Sequence, residues 1–177
     1  MNDFPKHPHQ PVLIEEVMGN LITNIDGVYL DCTVGFGGHA SRILNSLSDK
    51  GMLIGFDYDP YALEYSNKRL SNESKRFKLF PANYNQIKEI MRKLNINYLD
   101  GILFDLGVSS HQVDSGHKGL SYKMDSPLNM KMDSSGNSLK QFLNTATENE
   151  VADTIYYLGE ERGSRKIAKS ILERKKN

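Results

Sequence analysis

A parallel, doubly wound α/β sheet is the fold class this 177-residue sequence predicts, and three observations predict it. Short apolar runs rich in β-branched and aromatic residues alternate four times with segments of helical periodicity. Three of those runs end in an acid, at Asp31, Asp57 and Asp105, and the first passes directly into the glycines Gly35, Gly37 and Gly38. Strands joined through helices return to the same end of the sheet, so they run parallel.

The elements follow in order. His7 to Pro11 is punctuated by prolines and reads as extended. Leu13, Val17 and Leu21 then recur at intervals of four, one face of a helix, with Glu15 and Glu16 near its positive end. Val28, Tyr29 and Leu30 make the first strand, ending at Asp31. Ser41, Ile43, Leu44 and Leu47 mark the helix after the glycines, and 51–57 reads as a second buried strand. Asp59 caps the next helix and Pro60 takes its first position; Ala62, Leu63, Ser66 and Leu70 form its inner stripe. Phe77, Leu79 and Phe80 give the third strand. Ile87, Ile90, Met91 and Leu94 give the following helix face, and 98–105 reads as the fourth strand, ending at Asp105.

Beyond Asp105 the chain turns polar, Gly/Ser-rich and aperiodic to about Asp133, longer than an ordinary loop in a compact domain. Ser138 then caps a helix carrying Leu139, Phe142 and Leu143. Thr147 with Glu150 forms a capping box for another, bearing Val151, Ile155 and Leu158. A last helix begins near 159–162 and turns Ile167, Ala168, Ile171 and Leu172 inward, with Arg165, Lys166 and Lys169 outward. Those cations suit a solvated face or the helix's negative end as well as phosphate. The expected division is a first domain over 1–106 and a helical one over 107–177.

Composition narrows the function classes. Lys plus Arg and Asp plus Glu each number 22, so no global basic field exists, and a nucleic-acid partner would need a local patch. The lone Cys32 excludes an internal disulfide and reads as a small core residue rather than a nucleophile. Five histidines show no metal-ligand spacing, so no metal is expected. No run of 18 apolar residues occurs, so no membrane is expected, and the expected compartment is the cytoplasm.

In sheets of this kind ligands sit at the carboxyl ends of the strands. Asp31 with the glycines, Asp57, Asn83 with Tyr84, and Asp105 would all lie on that rim. Asp57 follows the glycines by about 20 residues, the separation at which an acid reaches a ribose hydroxyl pair. Gly35-Phe-Gly37-Gly38-His39-Ala40 also satisfies the dinucleotide pattern, so a nicotinamide or flavin dehydrogenase competes. The acid four residues before the first glycine, and a helical segment ahead of the first strand, favour an S-adenosylmethionine enzyme. Asp57 would then hold the ribose, Tyr84 flank the adenine, the 37–39 backbone hold the methionine carboxylate, and Asp105 lie near the methyl group.

Further segments sharpen this. His9-Gln-Pro-Val-Leu13, Asp31-Cys-Thr-Val-Gly-Phe-Gly-Gly-His39, Gly55-Phe-Asp-Tyr-Asp-Pro60, Asp100-Gly-Ile-Leu-Phe-Asp-Leu-Gly-Val-Ser-Ser110, Gly119-Leu-Ser-Tyr122, Pro127-Leu-Asn-Met-Lys-Met-Asp133 and Gly159-Glu-Glu-Arg162 stand in this order. Together they resemble the ribosomal RNA small subunit methyltransferase H family, the MraW-type cytosine N4-specific enzymes. The resemblance runs from His9 to Lys169 and puts the dehydrogenase behind. It implies a Rossmann-like class I S-adenosylmethionine-dependent methyltransferase fold with an inserted helical subdomain. It implies cofactor contacts at Gly37, Gly38, His39, Asp57, Tyr84, Asp105 and Gln112, with Asp105 also the candidate catalytic residue. The implied substrate is the exocyclic amine of a cytidine in the decoding region of 16S ribosomal RNA, and the implied partner is the small ribosomal subunit; a homodimer is compatible. Candidate RNA contacts are Lys118, Lys131, Arg162, Arg165, Lys166 and Lys169.

Two departures touch the substrate side. Lys118 and Lys131 stand where the family has arginine, giving up bidentate phosphate geometry, and Asn129 replaces an acid. Family members also run longer, so both the sheet and the inserted subdomain are expected to be incomplete here. Reduced stability and no methyl transfer by these 177 residues alone are the corresponding expectations, with a non-catalytic RNA- or ribosome-binding remnant as the alternative.

Overall fold

The structure is a computed structural model that describes residues 11–73, 76–107, 119–131 and 136–175. The chain divides into two compact units, Met1–Ser110 and His111–Asn177. His9, Gln112 and Lys118 lie outside the described residues.

In the first unit the described strands form one parallel sheet: β1 (Val28–Asp31), β2 (Met52–Asp57), β3 (Phe77–Pro81) and β4 (Gly101–Leu103), in the order β3-β2-β1-β4. The helices before and between them are α1 (Ile14–Leu21), ahead of β1, then α2 (Gly38–Ser46), α3 (Pro60–Ser71) and α4 (Ile87–Lys93), the last entered through a 3-10 turn at Tyr84–Gln86. Side chains alternate across a strand, so consecutive residues serve opposite faces. Tyr29 and Leu53 pack with Ile43, Leu44 and Leu70 on one face, joined by Met18 and Leu21 of α1. Leu30, Ile54 and Phe56 pack with Ile90 and Met91 on the other. Tyr29, Leu30, Leu53, Ile54 and Phe56 are wholly buried, each contributing about 1.5–3 kcal/mol of transfer free energy. Helices on both faces of a parallel sheet make this the doubly wound α/β arrangement that the sequence predicts.

Polar staples fix the ends of the sheet. The Tyr29 hydroxyl accepts from the N–H groups of Thr23 and Asn24 and donates to the Asn24 carbonyl. Asp100 accepts from Val28 N–H at 2.8 Å and from Asn24 Nδ2 at 3.0 Å, binding the start of β4 to the start of β1.

Several boundaries differ from the sequence reading. Leu13 is not on the inner face of α1: it is the N-cap, left-handed at φ 51°, and exposed. β4 ends at Leu103, because the next available donor, Asp105 N–H, goes to the Thr33 hydroxyl instead of a strand carbonyl. Asp31 is no open rim group either, being 1% exposed.

In the second unit α5 (Leu139–Thr145) and α6 (Glu148–Gly159) both start at capping boxes, Ser138 with Gln141 and Thr147 with Glu150. α7 (Ser164–Lys175) begins after Gly159-Glu-Glu-Arg162 rather than within it. Val151, Ala152 and Ala168 form the core there, with Phe142, Leu143, Ile155 and Leu172 against it. Leu158 and Ile167, expected inside, are exposed at 83% and 39%. Small residues at positions 152 and 168 let the two helices meet closely, and that contact selects a narrower stripe than periodicity suggests.

Candidate functional site

The site is built at the carboxyl ends of β1, β2 and β4 and the residues following β3. After Asp31 the chain must turn sharply, and it does so through left-handed glycines, Gly35 at φ 51° and Gly37 at φ 74°. Gly37 is the N-cap of α2. At Gly38 a Cβ would stand 2.9 Å from the Pro11 ring, so a larger residue would displace the segment that packs over the loop.

Asp57 anchors this loop from the neighbouring strand. Its Oδ2 accepts from Gly35 N–H at 2.7 Å and its Oδ1 from Asp59 N–H at 2.9 Å. Burial raises the Asp57 carboxyl above the ordinary carboxylate value, against the lowering effect of those N–H donors. α3 holds the loop from behind: the Ser66 hydroxyl donates to the Gly35 carbonyl at 2.5 Å and Arg69 to the Phe36 carbonyl at 3.3 Å. The Phe36 ring meets Tyr61 and Tyr65 edge-on.

His39 and Asp105 complete the other side. His39 Nε2 lies 2.9 Å from the Val12 carbonyl, which can only accept, so Nε2 carries the ring hydrogen. On the other side of the ring, Nδ1 lies 3.6 Å from Asp105 Oδ2. The Asp105 carboxylate, half-exposed beside this buried ring, can accept from a group rich in donors, such as an amine or ammonium.

Aromatic groups close the third side. Tyr58 accepts from Asn83 Nδ2 at 2.8 Å, linking the residue after β2 to the one before the 3-10 turn. The Tyr84 ring lies 5.9 Å from Phe104 at 73°, and both are half-exposed. The structure thus brings Asp57 to the glycine loop, Asp105 to His39, and Tyr84 to the β4 end. Sequence reasoning missed Thr33, Tyr58, Ser66 and Phe104. Thr33 carried one signal, its place two residues after an acid, which is the spacing of a side-chain turn.

Asp31 is wholly buried and acts on the loop from beneath. Its Oδ1 accepts from Thr33 N–H at 2.9 Å, while Oδ2 has no hydrogen-bond partner. Burial pushes its carboxyl from 3.8 up to about 6, opposed by the Thr33 hydrogen bonds and by His39. A carboxyl whose pKa rises on folding favours the folded state at low pH, and that advantage disappears as pH rises through 6. The whole difference is about 3 kcal/mol, of which about 1 kcal/mol is recovered by pH 5.5. Asp57 acts in the same direction. The melting temperature should therefore rise by about 3 °C from pH 7.5 to 5.5, and Asp31→Asn should flatten that rise; scanning calorimetry across the range checks it. The Cys32 thiol beside it is also buried and is pushed up to about 12 by that burial, then by Asp31, which fits a core residue.

The predicted RNA contacts of the second unit are less open than expected. Arg165 is paired with Asp153 at 2.7 Å and bonded to Asn149 at 3.4 Å; Lys169 lies 4.0 Å from Glu173. Lys131 is half-buried and already engaged. Arg162 and Lys166 are exposed, and Lys166 lines a shallow groove of about 290 Å³ with Ile167, Ser170, Ile171 and Arg174.

Among the described residues no group of three potential metal ligands converges, and no helix is long and apolar enough to cross a membrane. The profile of the MraW methylase family matches residues 6–177. Curated relatives called ribosomal RNA small subunit methyltransferase H match throughout. The protein from Fusobacterium nucleatum is 44% identical over 177 residues, covering 99% of this chain and 55% of its own. That from Clostridioides difficile is 44% identical over 170 residues, covering 96% and 55%. That from Brevibacillus brevis is 41% identical over 169 residues, covering 95% and 54%. The chain spans about half the length of these relatives.

Proposed function

The chain belongs to the MraW methylase family, and from that premise we propose that its site binds S-adenosylmethionine and serves methylation of the exocyclic N4 amine of a cytidine in the decoding region of 16S ribosomal RNA. The carrying observation is the convergence of two carboxylates, Asp57 and Asp105, on one glycine loop at the tips of a parallel sheet. The residues fit the cofactor. Asp57 offers acceptors to ribose hydroxyls, Tyr84 an aromatic face to adenine, and the N–H groups of Gly38 and His39 a seat for the methionine carboxylate, while Gly37, whose own N–H donates to the Val34 carbonyl at 2.8 Å, shapes the turn. The Asp105 carboxylate beside His39 offers an acceptor to the α-ammonium.

When bound, S-adenosylmethionine supplies an electrophilic sulfonium methyl. The protein's work is then to position and to exclude water. A cytidine amine is a poor nucleophile because its lone pair is delocalised into the ring. Asp105, accepting a hydrogen bond from that amine, would concentrate electron density on the nitrogen and orient it. Arg162 and Lys166 are the exposed cations best suited to RNA phosphate. With a small-subunit partner, the proposed compartment is the cytoplasm.

Calorimetric titration with S-adenosylmethionine, followed by transfer of labelled methyl to isolated small subunits, tests this. Saturable binding is the expected result, and where a label does reach cytidine N4, Asp105→Asn should slow its transfer about 100-fold or more. Binding without transfer would favour the non-catalytic remnant, and binding of a nicotinamide cofactor instead would restore the dehydrogenase. Normal transfer by Asp105→Asn would remove the catalytic role from Asp105.

A further inference from the structure

The Thr33 hydroxyl serves two partners at once. It donates to Asp31 Oδ1 at 3.3 Å and accepts from the backbone N–H of Asp105 at 2.8 Å. The Thr33 N–H donates to the same Asp31 oxygen, so a buried carboxylate fixes the residue through both its main chain and its side chain. The last backbone rung between these strand ends is Cys32 N–H to the Leu103 carbonyl, at 2.9 Å. Beyond it a side chain takes over from the main chain. That exchange lets the chain leave the sheet with Phe104 against Tyr84 and the Asp105 carboxylate facing His39.

We propose that Thr33 is a positioning residue, whose hydroxyl locks the Asp105 end of β4 to the glycine loop so that cofactor seat and acceptor acid hold one fixed geometry. The purpose of the lock rests on the S-adenosylmethionine reading; the lock itself does not. Asp57 ties the loop to β2 on one side, and Thr33 ties it to β4 on the other. Neither strand pairs with the other, since β1 lies between them. The glycine loop is their common junction, and the Thr33 hydroxyl is its connection to Asp105.

Thr33→Val keeps the branched shape and loses the hydroxyl, Thr33→Ser keeps the hydroxyl and loses the methyl, and Thr33→Ala stands in should valine not fold. Amide hydrogen exchange of the 15N-labelled chain without ligand is the first measurement. Asp105 N–H should exchange about tenfold faster in Thr33→Val, with Leu53 and Ile54 unchanged, and Thr33→Ser should stay within about twofold of the parent. Titration with S-adenosylmethionine is the second: affinity should fall about tenfold in Thr33→Val and return in Thr33→Ser. Unchanged Asp105 protection in Thr33→Val, or a serine variant as impaired as the valine one, overturns the proposal. A parent chain that takes up no S-adenosylmethionine defeats the functional reading alone, and the exchange measurement then still decides the lock.

Discussion

Asp57→Ala should weaken S-adenosylmethionine binding by about 100-fold or more while leaving a folded protein. In the proposed complex this carboxylate holds the ribose, and hydrogen bonds to an ionised group contribute about 1.5–3 kcal/mol each, so losing two gives at least that factor. The same side chain accepts from Gly35 and Asp59 N–H groups, so the loop also loses its tie to β2. Those hydrogen bonds are part-buried, and removing a carboxylate whose charge is disfavoured by burial offsets part of the loss. A stability cost of about 1–2 kcal/mol is expected. Asp57→Asn, which can still accept one of the two N–H groups, should fall between. Titration calorimetry beside a thermal melt separates the two effects. Undiminished affinity in a folded Asp57→Ala would leave Asp57 as a loop anchor and nothing more.

Gly55→Ala should destabilise the first unit by about 1–3 kcal/mol, the usual cost of overpacking, and impair cofactor binding without touching a ligand-facing group. A Cβ at Gly55 would lie 2.5 Å from Val34 Cγ2 and 2.6 Å from Leu79 Cδ2. Leu79 can swing its terminal methyl aside. Val34 cannot, because a β-branched side chain is held near one rotamer, and here it is 3% exposed. The strain therefore moves into the backbone at Val34, whose N–H donates to the Phe56 carbonyl at 3.0 Å and whose successor is Gly35. Urea denaturation should show the midpoint falling at constant slope, and titration should show weaker binding. A variant as stable and as competent as the parent would mean that the loop is not seated on β2 as described.

These two positions illustrate what could be read from the chain alone. Asp57 was legible as an acid beside the glycine loop because it ends an apolar run about 20 residues after the glycines, and Asp59-Pro60 announced its helix through a local hydrogen bond to Tyr61 N–H. The capping boxes at Ser138 and Thr147 were equally local. Gly55 looked like any glycine in a strand, because its neighbours Val34 and Leu79 are set by register between strands and by the turn after β1. Thr33 and the Tyr58–Asn83 bond were hidden for the same reason: each joins residues from separate elements. Leu158 and Ile167 misled because periodicity names a stripe but not the width of the partner that covers it.

The strand order carries a consequence for how the protein is made. β1 is synthesised first and ends up between β2 and β4, so one of its edges stays bare until some 70 further residues have emerged. Only when Asp100 meets Val28 N–H does that edge close, and the acid at position 105 arrives with it. A nascent chain halted before this point would carry the glycine turn and Asp57 yet have half of the candidate site, and its exposed strand would be open to pairing with a stranger.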